Sequence, residues 1–238
     1  MVNGDIFNTA TAAQILEASG VMRGYFAHYR HIFGSRPLLL TEWGILGTIM
    51  PTFLHSLGQA SQMMAILELA AASAADGAVA IDIVQAGIHI LYATNHDAMA
   101  LFTFDEACNA TVATPTGVWY KKLVDTLVGS TLLGSTVVAP TLPQGSPGVE
   151  VQAARDSKGI LVIVMVNKLG IAANVSMMIS GLAGALADLS SEYRMEVFQE
   201  PPLSWNTHAL DSDPWVVTSG VGPELEIPPL SVSVVRFG

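Results

Sequence analysis

Leu38-Leu39-Leu40-Thr41-Glu42-Trp43-Gly44 is the stretch on which the fold turns. Three leucines following Pro37 read as a strand that is continuously apolar rather than alternating. Runs of that kind belong to parallel sheets covered on both faces. Upstream, a helix capped by Asn8 or Thr9 is expected to reach Ile32, with Ile15, Met22, Phe26 and Tyr29 recurring on its faces. Gly34-Ser35-Arg36-Pro37 ends it. Downstream, helices are expected over residues 52–72 and 79–92, a second buried strand over 100–104, and a last helix over 116–128 opened by Pro115. This alternation is a βαβ layout.

Near residue 130 the apolar period changes to two. Strands are expected over 132–138, 149–155, 159–167, 174–179, 194–199 and 229–237. Asp156-Ser157-Lys158-Gly159 reads as a hairpin turn, with Gly159 free to take positive φ. Short antiparallel strands at this spacing make a β-sandwich. The Ala/Gly-rich residues 182–188 read as a loop or short helix, and no fixed-period repeat is present. The fold class is therefore α/β followed by all-β, divided at 1–128 and 129–238.

Composition narrows the partners. The 238 residues are 51% hydrophobic and only 13% charged, against about 25% charged in average soluble domains. There is ample apolar surface to offset the entropy of ordering, which excludes disorder. Ten basic residues against twenty acidic give a net charge of −10, which argues against nucleic acid as a partner. A single cysteine, Cys108, excludes an internal disulfide and a multi-cysteine metal site. Met1-Val2-Asn3-Gly4-Asp5 has no basic stretch leading into an apolar core, so no signal peptide is expected. The charge-free residues 43–67 are long enough to span a bilayer. They carry Gly44, Gly47, Pro51, His55, Gln59, Ser61 and Gln62, so a helix buried in a protein core is expected, not a membrane span.

Glu42 is the leading site residue. It lies at the C-terminal end of the expected parallel strand, where α/β folds place chemistry. A charge so close to a core costs several kcal/mol unless it is hydrogen-bonded or functional. Trp43 beside it offers an aromatic wall of the kind that stacks on sugars. The competing role for Glu42 is structural, satisfied by backbone amides or an arginine. His28 and His31 share the i,i+3 spacing of metal ligands, but Arg30 lies between them and no carboxylate follows, so a solvated helix face is expected and no metal. His89, within Ile88-His89-Ile90-Leu91, reads as a core histidine. Asp105 and Glu106 follow the second strand, the same kind of strand end as Glu42, where a second carboxylate is one reading and a capping or loop role the favoured one, while Cys108 has no activating neighbour. Asn109-Ala110-Thr111 and Asn174-Val175-Ser176 are formal glycosylation acceptors. Nucleophile-elbow, Walker, dinucleotide and H-E-x-x-H motifs are all missing from the sequence.

The order of motifs says more than any one of them. Thr41-Glu42-Trp43-Gly44 is followed by His55-Ser56-Leu57-Gly58-Gln59-Ala60, then Asp82-Ile83-Val84-Gln85-Ala86, residues 101–105, and Thr114-Pro115-Thr116-Gly117-Val118-Trp119-Tyr120. Residues 151–156, 161–168 and 227–236 then close the strand-rich part. This succession resembles the C-terminal part of α-L-arabinofuranosidases of the retaining clan-A glycoside hydrolases, family 51 type, over nearly the whole chain.

The resemblance implies the end of a (β/α)₈ barrel, holding its last two strands and their helices, followed by an antiparallel β-sandwich. Glu42 maps onto the nucleophile that ends the seventh barrel strand, and the strand over 101–104 onto the eighth. The family's acid/base glutamate belongs to an Asn-Glu pair on the fourth strand, and this sequence contains no Asn-Glu dipeptide. His28-Tyr29 precedes the nucleophile strand and is not the family's His-Tyr motif. A barrel takes about 250 residues and a sandwich about 100, so 238 residues are expected to be a truncated enzyme with an exposed edge and negligible activity alone. The implied partner is an arabinose-containing oligo- or polysaccharide, with no cofactor, and secretion is favoured for a full-length form. The competing reading is a non-catalytic carbohydrate-binding or structural β-sandwich module on a barrel remnant.

Overall fold

The computed structural model describes residues 11–45, 53–71, 83–89, 91–92, 100–104, 111–178, 192–202 and 207–238. Two helices open it, α1 (Ala12–Leu16) and α2 (Ala18–Phe33). The cap falls at Thr11, whose hydroxyl accepts the Gln14 N–H while the Gln14 side chain accepts the Thr11 N–H. Asn8 and Thr9, the expected caps, lie outside the described residues. The single expected helix is interrupted at Glu17, whose buried carboxylate accepts the amides of Gln144 and Ser146.

Strand β1 (Leu38–Trp43), helix α3 (Phe53–Ala71) and strand β2 (Ile83–Ile88) make a βαβ unit, with β1 and β2 parallel. Residues 83–88 are therefore strand, where a helix over 79–92 was expected. Ile83, Val84 and Ile88 are β-branched and favour a pleated surface. Gly87 completes the fit, because a Cβ there would stand 2.8 Å from the Thr41 carbonyl oxygen of the neighbouring strand. The parallel neighbour of β1 is thus β2. The expected eighth strand becomes β3 (Phe102–Phe104), which pairs antiparallel with β4 (Thr111–Ala113) and touches Tyr92 by one parallel bridge. Among the described residues no closed barrel is present. The parallel pair is also covered on one face only: Leu38, Leu40, Ile83 and Ile88 pack inward, while Leu39 and Val84 remain 55% and 66% exposed.

Helix α4 (Pro115–Leu127) begins where expected. Thr114 caps it by accepting the Gly117 N–H, and its hydroxyl donates to the Ala100 carbonyl at 2.6 Å.

The remaining strands are β5 (Thr131–Leu133), β6 (Val149–Arg155), β7 (Leu161–Asn167), β8 (Ala173–Ser176), β9 (Glu192–Phe198), β10 (Val216–Val221), β11 (Glu224–Ile227) and β12 (Ser231–Phe237). Six form one antiparallel sheet in the order β10-β9-β12-β7-β6-β5, while β8 and β11 form a separate two-stranded ribbon. Gly159 turns the β6–β7 hairpin at φ +84°, and Asp156 accepts the amides of Lys158 and Ile160. The strand expected over 132–138 ends at Leu133, and residues 182–188 lie outside the described residues.

The six-stranded sheet has a core on each face. On one, Leu161, Ile163, Met165, Val235 and Phe237 pack against Leu225 and Ile227 of the ribbon. On the other, Val162, Val164, Val166, Val232 and Val234 share a core with Phe53, Leu57, Ala60 and Met64 of α3 and with Trp119 and Leu123 of α4. Every residue of β7 is buried, which accounts for its unbroken apolar run. Helix α3 meets α1, α2, α4 and the sheet, and is buried on nearly every side. That position explains the charge-free sequence, and no described helix is long and apolar enough to cross a membrane.

Candidate active site

Alternation along β1 would turn Glu42 inward with Leu38 and Leu40. The register instead shifts between Leu40 and Trp43, as at a β-bulge, and the phase inverts. Glu42 emerges on the surface and Trp43 enters the core. Trp43 is 6% exposed, its ring centroid 6.5 Å from that of Tyr120. No broad ring face is left for stacking on a sugar, and among the described residues the indole N–H has no hydrogen-bond partner.

His89, the residue after β2, is the side chain that meets Glu42. Its amide donates to the Trp43 carbonyl at 2.8 Å, which joins the ends of the two parallel strands. Its Nδ1 lies 2.8 Å from Glu42 Oε2. The side chains are 42% and 67% exposed, so His89 is not the core histidine expected from its apolar neighbours. Sequence reasoning missed the pairing because the two residues meet only through strand register. The available signal was a polar side chain at each strand, Glu42 closing one apolar run and His89 interrupting another.

The other expected site residues separate. His28 and His31 are on the solvated face of α2, as expected. Asp105, Glu106, Cys108 and Asn109 lie outside the described residues, while Asn174 is exposed on β8. No group of three His, Cys, Asp or Glu suited to a metal occurs among the described residues.

Two ionic clusters join the helices to the sheet. Glu150 of β6, 1% exposed, meets Lys168 Nζ at 2.6 Å, Ser61 Oγ at 3.0 Å, Ser19 Oγ and the Arg23 guanidinium at 3.2 Å. Burial holds the Lys168 ammonium below the usual lysine range, with Glu150 opposing. Glu196 of β9 gathers Lys122, Arg194 and Arg236. Burial pushes its carboxyl up, but Lys122 and Arg236 prevail and hold it below the usual range. A separate cleft of about 480 Å³ at the end of this sheet is lined by Tyr193, Arg194, Arg236 and Phe237 among others, none of them on the β1–β2 edge.

The fold, a parallel βαβ unit followed by a two-sided antiparallel sheet, has solved counterparts. No protein-family model matches the sequence, and no curated protein is similar to it. The GH51 arabinofuranosidase from Xanthomonas axonopodis pv. citri is similar in structure with a TM-score of 0.64 and 16% identity, over 94% of this chain and 46% of that one. The catalytic domain of GH30 xylanase C from Talaromyces cellulolyticus gives 0.52 and 17%, over 85% and 41%. A GH86 protein solved in complex with neoagarooctaose gives 0.55 and 11%, over 94% and 33%. The chain spans less than half the length of each. Its structural neighbours are clan-A glycoside hydrolases at low sequence identity, and the likeness is one of fold.

Proposed function

We propose that this chain is part of a retaining glycoside hydrolase acting on arabinofuranosidic linkages, with Glu42 as the nucleophile. The observation that carries the reading is the Glu42–His89 pair on the C-terminal edge of two parallel strands, the edge where α/β folds place their chemistry. The GH51 likeness supports the sugar class. In this reading Trp43 holds the strand end from the core side, rather than offering a stacking platform.

Retention needs two carboxyl groups about 5 Å apart, one attacking the anomeric carbon and one protonating the leaving oxygen. Glu42 takes the first role. The second falls to a carboxyl outside this sequence, which has no Asn-Glu pair. The 238-residue chain alone is expected to leave ordinary arabinosides intact.

An activated substrate separates the two steps. With a 2,4-dinitrophenyl 2-deoxy-2-fluoro-arabinofuranoside, a Glu42 oxygen forms a bond to the anomeric carbon while the bond to the phenolic oxygen breaks. Dinitrophenolate leaves with the electron pair, and no acid is required. Intact mass and peptide mapping should show one glycosyl group on Glu42, and none in Glu42→Gln. An unlabelled wild-type chain would sink the nucleophile assignment and favour a non-catalytic module.

A further inference from the structure

We infer that His89 is the positioning residue of the Glu42 carboxylate, an inference that rests on the nucleophile reading above. Three observations converge on it. The Nδ1–Oε2 separation is 2.8 Å, within hydrogen-bond range. The His89 backbone is tied to Trp43, so the ring is anchored one residue from its partner. Close approach of the two strands is secured at Gly87, where a Cβ would meet the Thr41 carbonyl.

The chemistry follows from which oxygen is held. With Nδ1 set 2.8 Å from Oε2, the carboxylate loses rotational freedom and Oε1 is left to attack. A nucleophile with a preset orientation reacts from a near-attack geometry, whereas an exposed free glutamate samples many rotamers. The same contact receives the carboxylate that departs when the glycosyl ester later breaks. His89 transfers no proton in either step; it acts through Glu42.

Two measurements test this, one independent of turnover. In ¹⁵N spectra recorded at alkaline pH, His89 should show the Nδ1–H tautomer in the wild-type chain, reverting toward Nε2–H in Glu42→Ala. Labelling by the activated fluoroglycoside should slow at least tenfold in His89→Ala with no change in the melting temperature. His89→Asn, whose amide nitrogen falls near the Nδ1 position, should restore much of the rate, and His89→Gln should not. A tautomer that ignores Glu42→Ala, or equal labelling of His89→Ala and wild type, overturns the inference while leaving the nucleophile in place. The expected tautomer with no labelling of wild type overturns both roles and leaves a structural pair.

Discussion

Single residues here answer to burial before chemistry. His55 on α3 is buried, which presses its imidazole down to about 4 from 6.5 against an opposing hydrogen bond to the Ile45 backbone. The folded chain keeps this ring neutral through mildly acidic pH while the unfolded chain takes up a proton. Stability from this group is therefore constant above pH 6.5 and falls as pH drops from 6.5 toward 4, by about 3 kcal/mol in total. Urea midpoints measured across that window should show the slope, and His55→Leu should flatten it. Losses from Glu196 and Glu17, whose carboxyls are held low, begin as pH falls into the usual carboxylate range and continue below it. Glu42 was legible in the sequence because a charge two residues after three leucines is conspicuous. Its outward turn was not, since the inversion comes from a register shift that only the paired strand reveals.

At the scale of elements, legibility tracked how many neighbours an element has. Helices α2, α3 and α4 and strands β7 and β12 are built from long periodic or unbroken apolar segments, and they formed close to where the sequence indicated. Strand β2 escaped because Ile83-Val84-Gln85-Ala86-Gly87-Ile88 is too short for periodicity to separate strand from helix. Strands β10 and β11 also went unread: β10 is largely exposed, and β11 is four residues long although Leu225 and Ile227 alternate inward. The joint between helices and sheet carries a further expectation. Lys168→Met leaves the Glu150 charge buried beside Arg23 alone and should cost about 3–5 kcal/mol. Glu150→Gln combined with Lys168→Met should recover much of that loss, as read by chemical denaturation. Two equally damaged single and double variants would mean that packing, not the charge pair, holds this joint.

The whole molecule reads as a parallel unit and an antiparallel sheet joined through one helix layer. Two of its exposed apolar side chains, Leu39 and Val84, lie on the parallel pair. The sequence placed Leu39 in a strand covered on both faces, and its exposure corrects that reading. It anticipated that α3 is buried but not which elements enclose it, because total enclosure erases the amphipathic stripe by which a helix announces its orientation.

Strand β7 is a party wall: Leu161, Ile163 and Met165 belong to one core, Val162, Val164 and Val166 to the other. Neither side can loosen without stripping the common strand. The chain should therefore melt in one calorimetric transition with equal van't Hoff and calorimetric enthalpies. Its slowest amide exchange should run along β7 and proceed only by global opening. Two resolved transitions, or β7 amides exchanging ahead of those in α3, would show that the wall divides the molecule instead of uniting it.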